Sequence, residues 1–156
     1  VSSHRVEASR VMAVDPVRAF DALFAAPRQA IFARRFAAFP PITDVRDQDG
    51  AWDAVGQSRT LVLGDGGTLH ETLITIDRPH SFSYVLDDIH GKLRPFMSKI
   101  DGVWTVTPEG DGCRISWAWT LHPAAPPARL TTSVIAKMWQ GYADRALKSF
   151  EAIVTA

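Results

Sequence analysis

The chain carries one cysteine, Cys113, in 156 residues, which excludes an intramolecular disulfide and a zinc site built from several cysteines. That thiol falls in a strand-like stretch, where cysteine behaves as a small hydrophobe, and a reducing compartment suits it. Charge of one sign is lacking as well. Seventeen Lys and Arg balance seventeen Asp and Glu, so no overall field favours nucleic acid or an anionic membrane, and neither is expected as a partner. No apolar run approaches the roughly 20 residues that cross a bilayer. The first residues lack the basic-then-apolar order of a signal peptide. Together these predict a cytoplasmic protein without membrane insertion.

Several chemistries lack their residues. The five histidines, His4, His70, His80, His90 and His122, are scattered with no paired ligand spacing, so no metal and no cofactor are expected. His90 with Asp88 is the one histidine–carboxylate pair that the spacing singles out. No serine sits in a nucleophile elbow and Cys113 has no evident activating base, which leaves covalent catalysis without support. The run Gly64-Asp65-Gly66-Gly67 has no Lys-Ser/Thr after it and joins strand to strand, so it reads as a hairpin and not a phosphate cradle. Arg28, Arg34 and Arg35 read as a solvated basic face. There is no internal repeat, and the pairs Pro40-Pro41 and Pro126-Pro127 are too short to be linkers. One domain over residues 1–156 is the simplest organisation, long enough to bury about two thirds of its unfolded surface without a staple.

What the chain does have is a succession of short alternating runs closed by a long helix pattern. Residues 5–14 read as a strand ended by Asp15-Pro16, with Asp15 able to cap a helix and Pro16 suited to its first turn. That helix runs to about residue 26 with Val17, Phe20, Leu23 and Phe24 on one face. Pro27 starts a second short helix carrying Ile31, Phe32 and Phe36, which Pro40-Pro41 stops. Strand patterns follow at 42–46, 57–63, 68–77, 82–88, 96–107 and 114–121, seven in all with the first. Their short spacing makes antiparallel hairpins the natural connection. After a proline-rich turn, Ile135, Met138, Trp139, Tyr142, Ala146, Phe150 and Ile153 mark one face of a helix pattern of about thirty residues, longer than usual for globular helices. Such a helix can lie across a bent sheet as a lid, over space that is either filled or open to a ligand.

Side chains alternate along a strand, so a polar residue in phase with apolar neighbours is the informative one. Arg59 shares phase with Leu61 and Leu63, Glu71 with Leu69 and Leu73, and Tyr84 with Phe82 and Leu86. The last strand points Ile115, Trp117, Trp119 and Leu121 one way, and the strand before it contributes Phe96, Ile100, Trp104 and Val106. An inward Arg59 costs several kcal/mol in desolvation unless a carboxylate or a ligand anion meets it. A three-residue Gly64 to Gly66 loop sets Arg59 opposite Glu71; a two-residue Asp65-Gly66 turn sets it opposite Thr72 and turns His70 inward. Charge satisfaction favours the first. Trp52, beside Gly50 in a turn, reads as a surface plug.

With Val55-Gly56, Arg59, the Gly66-Gly67 hairpin, Glu71, Phe82-Ser83-Tyr84 and Ser116-Trp117 in this order, the chain resembles the polyketide cyclase/dehydratase branch of the START-like, Bet v 1-like superfamily over nearly its whole length. The resemblance implies an α+β helix-grip fold: a seven-stranded curved antiparallel sheet wrapped around a long C-terminal helix, with two short helices after strand one. It implies an apolar cavity between sheet and helix, with its mouth at the loops 64–67 and 90–95. The expected partner is a hydrophobic, ring-containing small molecule. Arg59, Glu71 and Tyr84 are then candidates for orienting a carbonyl and assisting proton transfer. Leu61, Leu73, Phe82, Leu86, Trp104, Trp117, Trp119, Met138, Trp139 and Tyr142 are candidates for the ligand-binding wall. Polyketide-type cyclisation or dehydration, a carrier or sensor without chemistry, and a co-chaperone-like module with a filled core all remain open at this point.

Overall fold

The computed structural model describes residues 3–26, 31, 40–124 and 129–156. Strand β1 (His4–Met12) leads into helix α1 (Pro16–Ala25). The Asp15 carboxylate accepts the Arg18 backbone N–H at 3.1 Å, and Pro16 takes the first turn, where its missing N–H has no helical partner. Ala19, Phe20, Leu23 and Phe24 form the buried face. Val17, expected on that face, is exposed. On a 3.6-residue helix it sits about a quarter turn from the centre of the arc that the other four define. The second short helix with Phe32 and Phe36, and the arginines 28, 34 and 35, lie outside the described residues; Ile31 is buried.

The remaining strands are β2 (Ile42–Arg46), β3 (Ser58–Leu63), β4 (Thr68–Asp77), β5 (Ser81–His90), β6 (Met97–Glu109) and β7 (Gly112–Pro123). They form with β1 one curved antiparallel sheet in the order β1-β7-β6-β5-β4-β3-β2. Alternation sets which residues face inward, and irregularities reset the phase. Between Met97 and Lys99 the β6–β7 register shifts, so Met97 is buried and Phe96, expected inward, is exposed. At Asp88 a positive φ of 46° turns the chain, and Ile89 takes the buried place that strict alternation assigns to Asp88.

Helix α2 (Arg129–Val154) spans 26 residues and packs on β1 and β7. Its buried stripe drifts from Ile135 and Trp139 to Phe150 and Val154, which leaves Ile153 exposed, against expectation. Burying each large apolar side chain of this interior is worth about 1.5–3 kcal/mol. Cys113 lies wholly inside it; burial, and then the charge of Asp15, pushes its thiol up, as befits a packing residue.

Candidate functional site

The site starts from a hairpin. Leu63 N–H donates to Gly67 O at 2.9 Å and Gly66 N–H to Leu63 O at 3.0 Å, which is the three-residue Gly64 to Gly66 loop. Its register pairs Arg59 with Glu71 and Thr60 with His70. The Arg59 and Glu71 side chains are thereby set side by side on the inward face, and Arg59 Nε donates to Glu71 Oε1 at 2.6 Å. Both side chains are over nine-tenths buried. A lone guanidinium there would be strongly destabilising; the carboxylate balances it. Arg59 Nη1 reaches Gln48 Oε1 at 3.5 Å, while its Nη2 has no partner among the described residues. His70 points outward and pairs with Asp87 at 3.1 Å.

Trp52 is the residue that the sequence reading missed. It is 6% exposed, and the Arg59 guanidinium carbon stacks 3.8 Å from its ring centroid, a cation–π contact. The loop that carries it is folded inward by local bonds. Gln57 Oε1 accepts the backbone N–H of Asp53 at 2.8 Å and of Ala54 at 3.2 Å. Gly56 N–H donates to Leu73 O at 2.8 Å, which ties the loop to β4. Trp52 itself holds a left-handed backbone at φ 59°. A turn residue reads as surface by spacing alone, and the inward arginine seven residues on, Arg59, which lies beneath it, was the available signal.

At the other end of the interior lies an aromatic floor. Tyr84 faces Gly102, which in turn faces Trp119. A Cβ on Gly102 would collide with the Tyr84 ring, so glycine lets the phenol lie flat across β6. The Tyr84 oxygen thereby receives two donors, Trp117 Nε1 at 2.8 Å and Trp119 Nε1 at 3.0 Å. Trp104 and Trp117 are a cross-strand pair, stacked at 4.7 Å. Trp139 from α2 closes on Trp117 and Trp119 at 5.1 and 5.7 Å. Tyr142 sits beside this cluster, its ring 6.4 Å from that of Trp117. Burial, and then the charge on Tyr84, holds its phenol well above the usual tyrosine range.

These two ends enclose a cavity of about 50 Å³, room for a few water-sized spheres. Arg59, Glu71 and Tyr84 all reach its wall, as do Leu61, Phe82 and Leu86. Trp104, Trp117, Trp119 and Tyr142 complete the aromatic side. Three residues expected on the wall stand off it: Leu73 and Trp139 are wholly buried behind it, and Met138 packs half-buried against the core. Trp52, Ile42, Leu69 and Leu93 line the cavity instead. Outside it an open groove of about 560 Å³ runs between α1, β2 and the Trp52 loop, and Arg59 and Trp52 belong to both walls.

The loops expected to form a mouth meet one another. A Cβ on Gly67 would come within 2.7 Å of the His90 carbonyl oxygen, and one on Gly91 within 2.8 Å of the Gly67 Cα; only glycines permit that approach. His90 Nε2 and Asp88 Oδ1 are 3.0 Å apart on the exposed surface. Among the described residues this pair is one of three, for His122 meets Asp101 at 2.6 Å and His70 meets Asp87. Among the described residues no group of three His, Cys, Asp or Glu is placed to hold a metal ion. No described helix is long and apolar enough to cross a membrane.

The profile of the family described as "Polyketide cyclase / dehydrase and lipid transport" matches residues 3–155. A search of curated proteins found no match. Solved structures share the fold at low identity. Ara h 8.0201 is similar at 18% identity over 99% of each chain, with a TM-score of 0.71. Norcoclaurine synthase from Thalictrum flavum, solved in complex with dopamine and hydroxybenzaldehyde, is 15% identical over 99% of this chain and 87% of that one, with a TM-score of 0.71. Major latex-like protein 151 from Panax ginseng is 15% identical over 99% of each chain, with a TM-score of 0.68.

Proposed function

The chain belongs to the polyketide cyclase/dehydrase and lipid transport family, within the Bet v 1-like superfamily, and on that premise we propose that it binds a hydrophobic, ring-containing small molecule between sheet and helix. The observation that carries this is the buried Arg59–Glu71 pair on the wall of an otherwise apolar, aromatic cavity. Few precisely placed polar groups in an apolar pocket are what a ligand site needs for orientation. In the catalytic version, of polyketide-type cyclisation or dehydration, Arg59 with Glu71 orients a carbonyl. Tyr84, whose oxygen accepts two indole N–H bonds that fix its position, is the group that assists proton transfer. The wall then folds a flexible chain into a reactive conformer. Norcoclaurine synthase, which shares this fold, was solved with two aromatic molecules bound, which supports a ring as the ligand's body.

The size of the cavity favours a second reading. About 50 Å³ is smaller than a one-ring molecule needs, so uptake requires wall side chains to move, and a protein that never opens is an interaction module with a filled core. Native mass spectrometry of freshly purified protein separates these. A bound molecule of a few hundred daltons is expected; its mass unchanged after incubation makes the protein a carrier, and its mass shifted makes it an enzyme. Protein that is bare, and stays bare after exposure to hydrophobic ring compounds, removes the ligand reading.

A further inference from the structure

Buried donors in native proteins are nearly always met, and one left unmet carries the full desolvation penalty of its group. Among the described residues, Arg59 Nη2 and Trp52 Nε1 are both buried and both without a hydrogen-bond partner. They belong to one stacked pair, 3.8 Å from guanidinium carbon to ring centroid. That pair is also the partition between the inner cavity and the outer groove, since both residues line both spaces. The guanidinium bridges the two sides: Nε is held by Glu71 on the cavity wall, Nη1 by Gln48 on the groove wall.

We infer that Trp52 and Arg59 form a two-donor clamp for one uncharged acceptor oxygen, such as a ketone or ester carbonyl, on a ligand whose ring body lies in the cavity. The inference rests on the ligand-binding reading above and names what the ligand presents and where. Two lone pairs on one carbonyl oxygen match two unmet donors. Charge decides against a carboxylate. Glu71 already neutralises Arg59, and Arg78, the other cation of the groove among the described residues, stacks on Phe24 at 4.6 Å and lies 3.8 Å from Asp21. Asp53 adds a further negative charge to the groove wall. Among the described residues, Arg59 and Arg78 thus stand against Asp21, Asp53 and Glu71, and none of these leaves a free counter-ion for an anionic ligand.

The test titrates ¹⁵N-labelled protein with acetophenone, benzoate and ethylbenzene, following the indole N–H signals, with Trp52 assigned by its loss in Trp52→Phe. That variant keeps an aromatic ring over Arg59 and removes the donor together with the second ring, so it is read through the ratio of two ligands and not through either affinity alone. Acetophenone is expected to bind about tenfold more tightly than ethylbenzene, the ratio given by roughly one net hydrogen bond. It should also bind more tightly than benzoate and move the Trp52 indole proton downfield. In Trp52→Phe the ketone's advantage over ethylbenzene, taken as the ratio of the two dissociation constants on the same variant, should shrink several-fold. Benzoate equal to or better than acetophenone, or ethylbenzene equal to it, overturns the clamp and leaves hydrophobic binding standing. Failure of all three to bind overturns the ligand reading and the clamp with it. Should the variant not fold, the ranking of the three probes on the wild-type protein decides alone.

Discussion

At the Tyr84 end of the interior the buried donors of Trp117 and Trp119 converge on one phenol oxygen, whereas at the Arg59 end a guanidinium nitrogen and an indole nitrogen lie buried with no acceptor among the described residues. Both ends are aromatic, both line the same small cavity, and both hold polar groups that alternation alone turned inward. A network whose members are satisfied rigidifies a core, while one left partly satisfied stores an interaction that a ligand can complete. Trp139 Nε1 is also unpartnered among the described residues, but its ring stands behind the cavity wall against two other indoles, where no ligand on that wall meets it.

The contrast can be broken most forcefully at Glu71. Its replacement by alanine strands a buried arginine and is expected to cost about 3–5 kcal/mol, read from the denaturant midpoint. A loss below about 1 kcal/mol would mean that the pair is not the charge balance on which the site depends. Tyr84→Phe comes next. It orphans two indole donors and should cost about 2–3 kcal/mol, a structural penalty that appears without any ligand.

Alkaline pH probes the same end more gently. Folded Tyr142 keeps its proton to higher pH than the unfolded chain, where a tyrosine ionises near ~10. Above that pH the unfolded state binds fewer protons, so stability falls as pH rises, by up to ~1.4 kcal/mol per unit. Melting temperatures between pH 8 and about 11 should therefore drop more steeply for the wild type than for Tyr142→Phe; parallel curves would show that burial of this phenol is not felt. The smallest effect belongs to Trp52→Phe. The donor removed is already unmet, so the loss, about 1 kcal/mol, comes from the smaller ring and not from a broken hydrogen bond, in contrast to Tyr84→Phe. A loss comparable to that of Tyr84→Phe would erase the distinction between the two ends.

Much of the sheet was legible because alternation is a local property. Arg59, Glu71 and Tyr84 are readable as inward from their phase with leucine and phenylalanine neighbours, and charge balance favours the loop of Gly64 to Gly66 because the alternative leaves a buried charge unmet. The failures share a cause. Phe96 and Ile153 were expected inward, and the first is undone by a register shift in β6, the second by the drift of the buried stripe along α2. Trp52 lies in a loop with no period to read. Its place over Arg59 depends on Gln57 folding that loop, which no spacing encodes.

Seven alternating runs and an amphipathic helix were enough to determine an antiparallel sheet gripping a helix, and to put one buried ion pair on its inner face, because burial of apolar side chains follows from phase along the chain. How much room remains inside was decided only in three dimensions. Four indoles on three different elements close the interior to about 50 Å³, and whether a buried donor finds an acceptor depends on side chains that the chain brings together from far apart.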